Sequence, residues 1–144
     1  MFYGQQVRDT RSLFFTSWAK YLVKEPLTSL EQQIARVILE HPEYHAIFHQ
    51  ANFNQDTAYF PELGETNPFL HLGLHLAIRE QVSTDRPPGI ASLFKQLKKK
   101  SNDPLDIEHA LMECLAESLW LAEKNQQPPD EIQYLKACQA VLSL

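Results

Sequence analysis

Glycine is scarce in this chain. Four glycines stand against nine prolines in 144 residues, and runs of β-branched residues are absent. Sheet proteins rely on β-branched strands and on turns that glycine supplies, so the scarcity favours helices with abrupt, proline-marked starts. Basic charge is also in deficit: 13 Lys and Arg against 18 Asp and Glu give a formal net charge of −5. That excludes a general basic surface, and no nucleic-acid partner is expected. No apolar run reaches the roughly 18 residues of a membrane span, so no membrane partner is expected. The opening MFYGQQVRDTRS lacks the apolar core of a signal peptide, which makes the expected location cytoplasmic. Cysteine is limited to Cys114 and Cys138, both inside helical patterns. Reduced, half-buried thiols are the plain reading, with a disulfide joining two helices as the alternative.

The rest of the composition is ordinary for a soluble globular protein, at 44% hydrophobic and 22% charged. The length suits one domain with a real core. The hydrophobic spacing predicts an all-α, single-domain bundle of five or six helices over residues 1–144. A first helix runs from about Thr10 to Lys24, with a stripe through Leu13, Phe14, Phe15, Trp18, Tyr21 and Leu22. A second starts at Thr28 or Ser29, where Thr28 with Glu31 has capping-box spacing, and buries Leu30, Ile34, Val37 and Ile38. Residues 51–66 carry no periodic pattern and read as a long packed loop. The organising element is the helix from Pro68 to Ser83, capped by Asn67 and opened by Pro68. Its apolar residues go round the whole cylinder, as expected of a buried helix. After the break TDRPPG come a short amphipathic helix ending in three lysines, a helix from Asp103 or Pro104 to about Lys124, and a last one from about Asp130. For the last, Ile132, Leu135, Val141 and Leu142 are the expected buried side.

The chemistry lies in the histidines, all six of which fall in three segments. His41, His45 and His49 recur at four-residue spacing, His71 and His75 repeat it on the central helix, and His109 with Glu113 does so with one carboxylate. Such pairs stand one helical turn apart on one face, so both can reach a single ion. A bundle that gathers the segments would offer His41, His45, His71, His75, His109 and Glu113 to zinc or iron. His49 drifts to the polar edge and reads as a surface residue, and His41 is also placed to cap a helix. An open coordination position would let the metal activate water for hydrolysis. Glu80 and Glu108 read as members of a buried ion pair with Arg79 or Arg36. Cys114 has no cation near it in sequence except His109, which argues against a nucleophilic thiol.

Two resemblances rest on these segments. HPEYH from His41, NPFLHLGLHLAIREQ from Asn67, TDRPPGI from Thr84, EHALMECLAESLW from Glu108 and PDEIQYL from Pro129 resemble a family of small uncharacterised proteobacterial proteins, a domain of unknown function. That resemblance covers nearly the whole chain and implies a bacterial origin without an activity. The one-plus-two arrangement of His45 with His71 and His75 is similar to that of DinB-like metal-binding bundles, which include hydrolases and thiol transferases. It implies a metal held by those three. Hemerythrin-like di-iron bundles also use His pairs and carboxylates, whereas the Glu-x-x-His pairs of ferritin-like proteins are absent.

The leading reading is therefore a metal-binding bundle of unassigned reaction. The competing one is a metal-free adaptor whose histidines form a core hydrogen-bond network. It would bind a protein partner, or a second copy as a homodimer, through aromatic residues such as Tyr59 and Phe60 in the 51–66 loop.

Overall fold

The computed structural model describes residues 2–49 and 67–143, with the backbone alone for 2–9. Every regular element among them is helical: α1 (Phe2–Leu22), α2 (Ser29–Leu39), α3 (His45–His49), α4 (Pro68–Thr84), α5 (Ile90–Lys100), α6 (Pro104–Lys124) and α7 (Glu131–Ala140). Short 3-10 turns cover Pro42–Tyr44 and Val141–Ser143. The all-α class is as expected. The additional helix is the five-residue α3, which follows the turn opened by Pro42. The 51–66 loop, with Tyr59 and Phe60, lies outside the described residues. No helix among the described residues is long and apolar enough to cross a membrane.

The helix starts follow their local chemistry. The Thr28 hydroxyl accepts the Glu31 N–H, and the Glu31 carboxylate accepts the Thr28 N–H, which closes the capping box. The Asn67 side chain accepts from Phe69 and Leu70 ahead of the buried Pro68. Asp103 and Asp130 cap α6 and α7 in the same manner. α5 is capped from a distance, because the Asp85 carboxylate accepts the N–H groups of Gly89 and Ala91. α1 begins at Phe2 and not near Thr10. The polar run before Thr10 gives no apolar stripe to read, and a formed helix extends cheaply, one bond per residue.

Contacts divide the chain into two compact units, 1–73 and 74–144, with the boundary inside α4. In the first unit α1 and α2 pack through Phe14, Trp18, Ile34, Val37 and Ile38, all buried. Phe14, Phe15 and Phe48 cluster with Phe69 at centroid distances of 5.1–6.1 Å. Leu30 is exposed, contrary to expectation. It sits at the edge of the α2 stripe in the first turn, and Glu31 takes the inner position because its carboxylate also binds the Lys20 ammonium at 2.9 Å.

The second unit has its own core of Ile78, Ile90, Leu93, Leu97, Ile107, Leu111, Met112, Leu115, Tyr134 and Cys138. Here the expected buried face of α7 is corrected. Ile132 is exposed, and the inner face belongs to Tyr134 and Cys138, with Leu135, Val141 and Leu142 partly buried beside them. Tyr134 fixes that rotation by donating to Gln81 Oε1 of α4 at 2.6 Å. A buried phenol needs such a partner.

Candidate metal centre

α4 sets the site. His71 and His75 stand one turn apart on it, with Arg79 one turn further, so the three share a face. Their surroundings differ. The His71 ring meets His41 edge-on at 5.1 Å and Tyr44 at 6.0 Å. The His75 ring meets His109 of α6 at 4.8 Å. His41 and His75 are buried, and His71 and His109 are half-buried.

Hydrogen bonding decides which nitrogens carry protons. His75 Nδ1 lies 2.8 Å from Glu108 Oε1. Burial alone would push the Glu108 carboxyl up. The bonds from His75 and Arg79, with their charges, outweigh burial and hold it below the usual carboxylate range. An ionised carboxylate can only accept, so His75 Nδ1 is the donor, and in the neutral ring Nε2 carries the lone pair. His41 Nδ1 lies 2.7 Å from the Val37 carbonyl oxygen. A carbonyl also only accepts, which again leaves Nε2 with the lone pair. Both arrangements are of the kind that orients metal-binding histidines, in which a carboxylate or carbonyl fixes the tautomer from behind.

The group of four thus consists of two pairs, His41 with His71 in the first unit and His75 with His109 in the second, and α4 carries one histidine of each. Within each pair the ring nitrogens lie within 4.8 Å and can reach a common ion. His45 and Glu113 fall outside this group. His45 Nε2 donates to the Ile38 carbonyl at 2.8 Å, and its ring packs 4.9 Å from Trp18. Glu113 points to solvent from α6. His49 is exposed and stacks on Trp18.

Glu80 is exposed, and the buried carboxylate is Glu108 alone of the two. Arg79 Nε and Nη2 reach its two oxygens at 3.0 Å each, a fork-to-fork pairing. The sequence marked Glu108 as a member of a buried ion pair but did not connect it to His75. The available signal was the four-residue spacing of His75 and Arg79. That spacing presents an imidazole and a guanidinium side by side to any acid facing α4.

Fold and geometry together define an all-helical protein with a histidine pair in each unit, one of them oriented by a buried carboxylate. The chain belongs to the family described as a domain of unknown function, DUF1841, whose family model matches residues 6–140. No curated protein and no solved structure matches it.

Proposed function

We propose that the protein binds one transition-metal ion, zinc or iron, through His41, His71, His75 and His109. The observation that carries this reading is the pairing of two imidazoles within each unit, His41 with His71 and His75 with His109, with one histidine of each pair on α4. The fixed Nδ1–H tautomers of His75 and His41 support it. Imidazole donors suit zinc and iron alike. Bonds of about 2.1 Å in a tetrahedron put nitrogens roughly 3.4 Å apart, so the nitrogens within each pair draw closer on binding.

The number of ligands bears on reactivity. Four histidines fill a tetrahedral zinc site, and a filled site is structural. Six-coordinate iron would keep two positions for water or a small oxidant, and zinc hydrolysis would require one histidine to release. The reading is thus metal binding first, with metal-dependent hydrolysis only where a position opens.

Elemental mass spectrometry of untagged, unchelated protein tests it. About one equivalent of zinc or iron is expected, lost in the His71→Ala/His75→Ala double variant. His71→Gln alone, at a half-buried position that leaves the Glu108 pairing intact, separates metal loss from misfolding. Absence of metal after anaerobic reconstitution with each ion overturns the proposal.

A further inference from the structure

A cleft of about 540 Å³ lies wholly within the second unit, and the metal reading makes no use of it. It runs between α6 and α7, which the turn of residues 125–130 joins as neighbours packed on each other. The lining recurs every three or four residues, from Cys114 to Ala122 on α6 and from Gln133 to Ala137 on α7. Its volume is that of a small-molecule site, for which roughly 300–1,000 Å³ is usual. Buried Tyr134 and half-buried Cys114 sit on its inner side, and Leu121, Ala122 and Pro128 add apolar wall.

Charges of both signs line the same cleft. Glu117 and Asp130 bring two carboxylates, and Lys136 brings an ammonium. One Asp130 oxygen is committed to the start of α7, where it accepts the Gln133 N–H. The side chains of Glu117 and Lys136 have no ionic or hydrogen-bonded partner among the described residues, so they do not pair with each other across the cleft. We propose that the cleft binds a small zwitterion, an amino acid or a short peptide with free ends, whose ammonium meets Glu117 and whose carboxylate meets Lys136.

The ligand class follows from what the lining accepts and rejects. A simple anion would meet two carboxylates, and a simple cation would meet the Lys136 ammonium. A molecule carrying both signs satisfies each wall and places like charges nowhere. The hydroxyl of Ser118 and the amide of Gln133 offer both donors and acceptors to a peptide group. The apolar wall suits an aliphatic side chain. The Tyr134 bond to Gln81 of α4 holds α7 in its rotation, so the wall that carries Lys136 is fixed before a ligand arrives.

The test is titration of the full chain with leucine, with leucyl-leucine, and with N-acetyl-leucine amide, which lacks both charges, read by backbone amide NMR shifts. Saturable shifts centred on residues 114–122 and 133–137 are expected with leucine or leucyl-leucine, and the tighter of the two identifies the source of the zwitterion. The blocked compound should leave those shifts unmoved. Glu117→Gln and Lys136→Met should each weaken binding about tenfold, as loss of a hydrogen bond to a charged group does. Both residues are exposed, so both variants fold. Three results overturn the proposal: no saturable shift with either zwitterion, equal binding of the blocked compound, or unchanged affinity in either variant.

Discussion

Glu31 and Glu108 are equally buried, each 7% exposed, and each is bonded to a cation. They differ in where their partners come from. Glu31 closes a capping box with Thr28, three residues away, and adds Lys20 from the neighbouring helix. Glu108 binds Arg79 and His75, 29 and 33 residues away, and has no local role. The first carboxylate belongs to the start of a helix and would be there whatever the protein did. The second joins two helices and orients an imidazole of the proposed metal site. Burial of an acid alone does not separate the two cases; the sequence distance to its partners does.

The strongest way to break that contrast is Glu108→Gln. It leaves the Arg79 guanidinium facing a neutral amide and removes the ionised acceptor behind His75. Loss of one member of a buried ion pair costs about 3–5 kcal/mol, and Arg79 is partly solvated, so about 2–3 kcal/mol is expected in urea unfolding. Metal affinity should fall about 10–100-fold, the usual effect of removing such a support. The acid limb should also flatten. The Glu108 pKa is lowered on folding, so its contribution is complete above the ordinary value of 4.5 and is lost as pH falls through the depressed one. Wild type should lose stability below about pH 4.5 more steeply than Glu108→Gln. Equal acid limbs would mean that Glu108 is no more than a solvated charge.

The same contrast explains what could be read from the sequence. Local signals were legible. Thr28-x-x-Glu31, Asn67-Pro68 and Asp103-Pro104 fixed helix starts that the structure shows at those residues. The three histidine segments stood out by spacing alone. Spacing could not say which rotation each segment adopts. His45 and Glu113 have the same four-residue period as His71 and His75, yet one bonds the Ile38 carbonyl and the other faces water. The Glu108–His75 bond and the Tyr134–Gln81 bond were illegible for the same reason. Each depends on the facing of two helices, and only packing fixes that.

Thr28→Ala sharpens the local side of the comparison. It removes the hydroxyl that accepts the Glu31 N–H, and a lost N-cap costs about 1 kcal/mol. Metal content should not change, because the cap reaches no histidine of the cluster. Glu31 also has a lowered pKa, chiefly from the Thr28 N–H bond and then from Lys20. Glu31→Gln should therefore reduce stability above pH 4.5 and leave metal uptake untouched. A fall in metal content from either variant would erase the distinction between the two carboxylates.

The smallest expected effect concerns helix ends, where glycine scarcity has a structural consequence. α1, α4 and α6 each end with a residue in the left-handed region: Lys24 (φ 60°), Asp85 (φ 53°) and Gln126 (φ 52°). In each case the next N–H bonds back five residues, as in Glu25 to Lys20, Arg86 to Gln81 and Gln127 to Ala122. This is the Schellman ending that glycine normally fills, because a Cβ is strained at positive φ. Asp85 repays the strain by capping α5, but Lys24 and Gln126 have no such second use among the described hydrogen bonds. Lys24→Gly and Gln126→Gly should each stabilise the protein by about 0.5–1 kcal/mol, after the extra unfolded-state entropy of glycine. Each should raise Tm by roughly 1–4 °C. The two lie in different compact units, so as purely local effects their gains should add within about 0.5 kcal/mol in the double variant. Calorimetry of the three variants decides this. A clearly non-additive result would show that helix ends, unlike the Thr28–Glu31 cap, are coupled over a distance as the Glu108 network is.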